Sequence, residues 1–164
     1  IKLLYGMEVN ILTDMTLGLP DEMLALLDYA IASVHTSFDM ERDKMTERVL
    51  NALANPYIKI FGHPSGRLIN EREGIELNWT KVFEFAAQNK KIIEINSQPS
   101  RLDLPDDLVT DALKMGVSLI INTDAHNVSS LDYMKYGVDV ARRGGASKHD
   151  IINTLSLEKF LEKF

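Results

Sequence analysis

Short apolar runs, each closed by a polar residue, alternate along this chain with longer stretches whose apolar positions recur at helical spacing. The clearest run is Ser118-Leu119-Ile120-Ile121-Asn122, which ends in Thr123-Asp124-Ala125-His126. Four to eight apolar residues closed by polar ones read as a buried parallel strand. Similar runs lie at Leu3–Leu12, Asp28–His35, Tyr57–Pro64 and Lys91–Asn96. Between them the pattern predicts helices. Asp39 is placed to cap one through Met45, Val49, Leu50 and Leu53, which Asn55-Pro56 stops. Asn78 is placed to cap Trp79–Asn89, and a helix from about Pro105 to Met115 ends at Gly116. Ser129 or Ser130 is placed to cap a helix to Arg142. Short helices are expected over Pro20–Leu27, from Ser147, and over Ser156–Phe164.

The repeating unit is therefore strand, loop, helix. Measured between the polar residues at the strand ends (Glu8, His35, His63, Asn96, Asp124), the gaps are 27, 28, 33 and 28 residues. Units of about thirty residues suit βαβ connections. The 164 residues suit one domain, 1–164. A closed eight-stranded barrel needs roughly 250 residues. The pattern thus predicts an α/β fold that is either an open sheet or the later part of a barrel. The opening stretch Ile1–Tyr5 already has strand composition, which suits a piece of a longer protein.

Composition narrows the chemistry. Cysteine is absent, so disulfides, thiol catalysis and thiolate metal sites are excluded, and a reducing, cytoplasmic setting is expected. No run approaches the eighteen apolar residues of a membrane span, and no membrane partner is expected. The formal net charge is −6, whereas a domain that grips nucleic acid by its phosphates is usually basic. No GxGxxG or Walker sequence occurs, and no serine sits in a nucleophile elbow.

Three of the four histidines, His35, His63 and His126, fall at strand ends. Parallel neighbouring strands would bring them to one rim with Glu8 and Asp124. Residues i and i+2 of an extended chain point the same way, so Asp124 and His126 could share an ion. Three imidazoles and two carboxylates, without sulfur, suit Mn²⁺, Zn²⁺ or Fe²⁺. Two such ions about 4 Å apart can activate water and stabilise both oxygens of an in-line displacement at phosphorus. Glu8 is either a ligand or a buried carboxylate paired with a cation. Arg67 and Arg101, in rim loops, either clamp phosphate or are solvated loop charges. Glu94 reads as structural, with Asn96 better placed to reach the rim. His149 reads as solvated.

Several stretches resemble, in order, the later motifs of the PHP (polymerase and histidinol phosphatase) family. They are Gly6-Met7-Glu8, Ile31-Ala32-Ser33-Val34-His35, Phe61-Gly62-His63-Pro64-Ser65-Gly66-Arg67, Ile93-Glu94-Ile95-Asn96, Arg101-Leu102-Asp103-Leu104 and Asn122-Thr123-Asp124-Ala125-His126. Within the family, the resemblance is nearest to the C-terminal domain of bacterial and archaeal family X DNA polymerases. It implies the later five or so strand–helix units of a distorted seven-stranded, TIM-like (β/α) barrel with a trinuclear metal site. It also implies that Glu8 is the bridging glutamate and that His35, His63, Asp124 and His126 are further metal ligands. Taken with the rim positions, the expectation is that Asp124, His35, Arg67 and Arg101 take part in catalysis, the arginines by holding phosphate. The activity implied is phosphoesterase chemistry of the 3′→5′ exonuclease type, favoured by Mn²⁺, with a DNA 3′ end as substrate and upstream polymerase domains as partners. Four of the family's nine ligands, including a His-x-His motif, would lie before Ile1. The expectation for these residues is an open, partial barrel that binds one or two ions weakly or self-associates along its exposed edge. A histidinol-phosphatase-like small-molecule phosphatase and a non-catalytic module bracing a polymerase are the alternatives.

Overall fold

Five parallel strands form one sheet in sequence order: β1 (Gly6–Asn10), β2 (Tyr29–Ser33), β3 (Ile58–Phe61), β4 (Ile92–Asn96) and β5 (Ser118–Asn122). Helices α1 (Asp21–Leu24), α2 (Arg42–Ala54), α3 (Trp79–Gln88), α4 (Asp106–Lys114) and α5 (Met134–Arg143) follow them in turn, and α6 (Leu157–Leu161) ends the chain. This computed structural model describes residues 2–164. Strand order matching chain order, with a helix after every strand, is the arrangement of a (β/α) barrel. With five strands among the described residues and no pairing there between β1 and β5, the barrel is partial and open.

The helix-facing side of the sheet carries the larger core. Val9, Ala30, Ala32, Ile93, Ile95, Leu119 and Ile121 pack there with Met45, Val49, Leu53, Val82, Phe83 and Val109 from the helices. The spacing of Met45, Val49, Ala52 and Leu53 puts all four on one stripe of α2. On the other side, Ile60, Ile92 and Ile120 form a second cluster. The C-terminal segment covers it with Ile152, Leu155, Phe160 and Phe164, the last stacked on Tyr29 at 4.9 Å.

The two outer strands end differently. Residues 150–153 cover β5: the Leu119 N–H donates to the Asp150 carbonyl, and Asn153 both accepts from the Ile121 N–H and donates to its carbonyl. Among the described residues no strand pairs with the outer edge of β1, beside which Leu3, Tyr5 and Met7 are exposed.

Several element boundaries differ from the sequence expectation. The first strand starts at Gly6, not Leu3, because Tyr5 is held by Asp28, whose carboxylate accepts the Tyr5 N–H and whose N–H donates to the Tyr5 carbonyl. Ile1 lies outside the described residues. Glu41, not Asp39, caps α2, accepting from the N–H groups of Asp43 and Lys44. Asn127, not Ser129 or Ser130, caps the segment after β5, which opens as a 3₁₀ helix over Val128–Tyr133. At Ser147 the chain makes a turn closed by the Asp150 carboxylate, and no helix starts there. Asn78 caps α3 as expected, Ser156 caps α6 at the start of the expected short helix, and Gly116 ends the α4 turn with φ of +75°, which glycine adopts without steric cost.

One buried cation braces the rim. Arg48 on α2 is fully buried and donates to the carbonyls of Ile11, Leu12 and Thr36. It ties the loop after β1 to the loop after β2.

Candidate metal centre

The rim inherits its residues from the alternation of the strands. Glu8, Ile31, Ile60, Ile92 and Ser118 are successive register partners across the sheet. Further along β2, β4 and β5, Ser33, Glu94, Asn96 and Asn122 replace the apolar residues on this face. Gly62 makes room for this layer: a Cβ there would lie 2.6 Å from both the Ile31 methyl and the Ser33 hydroxyl, and 3.6 Å from a Glu94 oxygen.

Glu8, His35 and His63 converge. One oxygen of Glu8 lies 3.0 Å from Nε2 of His35 and 2.8 Å from Nε2 of His63. The two imidazoles meet edge to face with centroids 5.0 Å apart. Glu8 and His35 are exposed, and His63 is 4% exposed. Hydrogen bonds from His35 and then His63 outweigh burial and hold the Glu8 carboxyl well below the usual range. For His63, burial opposes the charged form. The hydrogen bond and charge of Glu8 overcome it, and its pKa is raised.

His63 has an uncommon backbone conformation. Its φ of +26° lies in the left-handed region, which is costly for a residue with a side chain. The loop that follows is pinned from below. The buried Asp103 carboxylate accepts the N–H groups of Ser65 and Gly66. Burial pushes the Asp103 carboxyl above its ordinary pKa.

Asp124 and His126 lie outside this three-residue group. Asp124 also has a left-handed backbone, with φ of +49°. Its carboxylate accepts from the Asn96 amide at 3.2 Å, and its carbonyl accepts from the Gln98 amide at 2.7 Å. His126 is 82% exposed. Its Nδ1 lies 2.9 Å from the Asp124 carbonyl and 3.7 Å from the Asp124 carboxylate, so the two side chains stay next to each other at the rim.

The two arginines differ. Arg67 donates through Nε to the Arg101 carbonyl at 2.8 Å and through Nη2 to the Leu102 carbonyl. The Arg101 guanidinium faces the rim, with Nε 4.0 Å from Asp124 and a buried Nη1 that has no partner among the described residues. His149 is exposed and away from the rim.

Glu94, Asp103 and Asn122 are the polar residues that the strand-end pattern left out. Glu94 is buried and accepts the His63 N–H at 2.6 Å, the Asn122 amide at 2.7 Å and the Asn96 amide at 3.3 Å. Burial outweighs these bonds and raises its pKa. A signal was available: Glu94 and Asn96 are an i, i+2 polar pair inside an otherwise apolar strand.

The donor set fits a divalent ion. One carboxylate oxygen and two imidazole nitrogens lie within 4.8 Å of one another, and all are first-row-metal ligands without sulfur.

Comparison with known proteins adds relatives. No protein-family model matches the chain. It is 41% identical over 165 residues to the DNA polymerase/3′-5′ exonuclease PolX of Bacillus subtilis (strain 168), an alignment covering 99% of this chain and 29% of that protein. It is 31% identical over 166 residues to a probable phosphatase of Thermoanaerobacter sp. (strain X514), covering 94% of this chain and 64% of the relative. A probable phosphatase of Caldanaerobacter subterraneus is 32% identical over 138 residues, covering 77% and 51%. The chain thus spans less than two thirds of the length of each of these relatives.

Proposed function

We propose that this chain, a member of the PHP family related to family X DNA polymerases and to probable phosphatases, is the later portion of a metal-dependent phosphoesterase domain. Its substrate is a DNA 3′ end, hydrolysed in the 3′→5′ exonuclease manner. Its partners are polymerase domains of the same protein, and its setting is the cytoplasm. The observation that carries this reading is the convergence of Glu8, His35 and His63 on one point.

These three residues hold the ion, Mn²⁺ or Zn²⁺ with Fe²⁺ as a further candidate, and Asp124 and His126 complete the rim. A divalent ion bound there supplies Lewis-acid charge at phosphorus and lowers the pKa of water. The chain's own residues do the rest. His63, fixed by the fold, presents Nε2 toward Glu8 and leaves the exposed His35 to meet solvent and substrate. Arg101, whose guanidinium faces Asp124 at the rim, donates to a non-bridging phosphoryl oxygen, a charge-assisted bond of the stronger kind. Asp124 orients that guanidinium. Arg67 acts behind it, holding the carbonyls of Arg101 and Leu102 in place. No membrane partner enters this reading: among the described residues, no helix is long and apolar enough to cross a membrane.

A second reading, a small-molecule phosphatase of the histidinol phosphatase kind, draws support from the phosphatase relatives and the net charge of −6. The test separates the two. The purified protein with Mn²⁺ is given a 5′-labelled single-stranded oligonucleotide or a small phosphate monoester. Stepwise loss of nucleotides from the 3′ end, abolished in Asp124→Asn and His35→Ala variants that keep the wild-type circular dichroism, supports the first reading. Turnover of the monoester alone supports the second. No turnover of either contradicts both.

A further inference from the structure

We infer that Glu94 is the positioning residue that fixes His63 and Asp124 relative to each other. The inference rests on the phosphoesterase reading of the rim and names a residue that the ligand set does not contain.

The argument starts from what a buried carboxylate requires. Glu94 sits in the middle of β4, on the face toward the rim, with no basic side chain within ion-pairing distance among the described residues. Such a group is costly unless its oxygens are hydrogen-bonded. Its bonds run to both sides of the site. One oxygen accepts the backbone N–H of His63 at 2.6 Å. The other accepts the side-chain amide of Asn122, two residues before Asp124, at 2.7 Å. The Asn96 amide closes the link: it donates to Glu94 at 3.3 Å and to Asp124 at 3.2 Å. The Asn96 oxygen is satisfied by the Gln98 N–H at 3.0 Å, which fixes the orientation of the amide.

His63 and Asp124 are the two rim residues in left-handed backbone conformation for which this support matters most. Asp and His tolerate positive φ better than most residues with a side chain, but still at a cost, and surrounding bonds help to hold it. For His63 the bond is directly from Glu94 to the strained residue's own N–H. For Asp124 it passes through Asn96 to the carboxylate. Without Glu94, the ends of β3 and β5 would each lose a tether, and the distance from the Glu8–His35–His63 group to Asp124 would no longer be set.

Two substitutions distinguish positioning from bulk or charge. Glu94→Gln keeps an acceptor for the His63 N–H and the Asn96 amide, and Asn122, whose amide has no other partner, can turn to accept from it. Glu94→Met fills similar space and accepts nothing. Mn²⁺ binding by titration calorimetry is expected to weaken roughly 10–100-fold in Glu94→Met, the range for outer-shell residues, and by less than about threefold in Glu94→Gln. Equal weakening in both, or wild-type binding in Glu94→Met, overturns the inference. Should Glu94→Met not fold, hydrogen exchange of the wild-type protein decides: the His63 amide must exchange as slowly as the strand amides, and exchange at the rate of an exposed loop overturns the inference. Absence of Mn²⁺ binding in the wild type would instead overturn the metal reading of the rim. The exchange measurement needs no metal and still decides the role of Glu94.

Discussion

The inner face of the sheet has two halves built on the same strands, and they follow opposite rules. Toward the strand starts, Ile60, Ile92 and Ile120 are sealed by the C-terminal segment through Ile152, Phe160 and Phe164. Toward the strand ends, the same face carries Glu94, Asn96 and Asn122, with His35, His63 and Asp124 just beyond; Glu8 on the outer strand lies in the register row of Ile60 and Ile92 and reaches the rim through its side chain. The floor is apolar and shielded from water. The rim collects carboxylates, imidazoles and left-handed backbone. β4 shows the change within one strand: Ile92 belongs to the floor, and Glu94, two residues on, belongs to the rim. The floor earns stability from burial, while the rim uses part of it to hold charged and strained groups.

This division can be broken from either side. The largest expected effect on stability lies in the floor. Ile92→Ala removes a buried side chain that the sheet cannot easily collapse around, and urea unfolding should show a loss of about 2–5 kcal/mol. Mn²⁺ bound per folded molecule should stay at the wild-type level. A coupled loss of metal affinity would show that the halves are not separate.

A smaller effect is expected at the rim. Arg101→Ala removes the guanidinium whose Nη1 has no partner. One charge-assisted bond of about 1.5–3 kcal/mol should be lost, raising KM for the oligonucleotide roughly ten- to hundredfold. The urea midpoint should move little. Arg67→Ala should act differently, because its bonds are to the carbonyls of Arg101 and Leu102.

The smallest effect is in pH dependence, and it concerns the metal-free protein. His63 has a raised pKa, so its contribution is complete below its ordinary value of 6.5 and declines as pH rises above it. Glu8 has a depressed pKa, so its contribution is complete above 4.5 and declines as pH falls. The pair is therefore most stabilising between these values. In EDTA, the melting temperature of the wild type should fall between pH 6.5 and 8 more steeply than that of His63→Gln. Parallel curves would contradict the coupling of His63 to Glu8.

Much of this was readable from the sequence, for a physical reason. Buried parallel strands are apolar runs that stop at a polar residue, so the five strands and the positions of His35 and His63 at their ends could be read directly. Glu8 lies inside its strand, but its polar character among apolar neighbours marked it equally well. Boundaries were harder. Asp39, Ser129 and Ser130 are all capable caps, and only tertiary position selects Glu41 and Asn127 instead. The i, i+2 rule suggested that Asp124 and His126 chelate together. It assumes an extended chain; Asp124 instead has a positive φ, and its carboxylate still lies 3.7 Å from His126 Nδ1. Glu94 was read as structural, correctly for its burial, but its bond to the His63 N–H joins residues 31 apart and has no local signature.

The account stands on Glu8, His35 and His63 holding a divalent ion. Titration of Mn²⁺ into the wild type, Glu8→Gln and His63→Ala, followed by electron paramagnetic resonance, tests this most directly. Uptake by the wild type, reversed by EDTA and lost in both variants with the fold retained, is the predicted result. Equal uptake in all three, or none in the wild type, would contradict it.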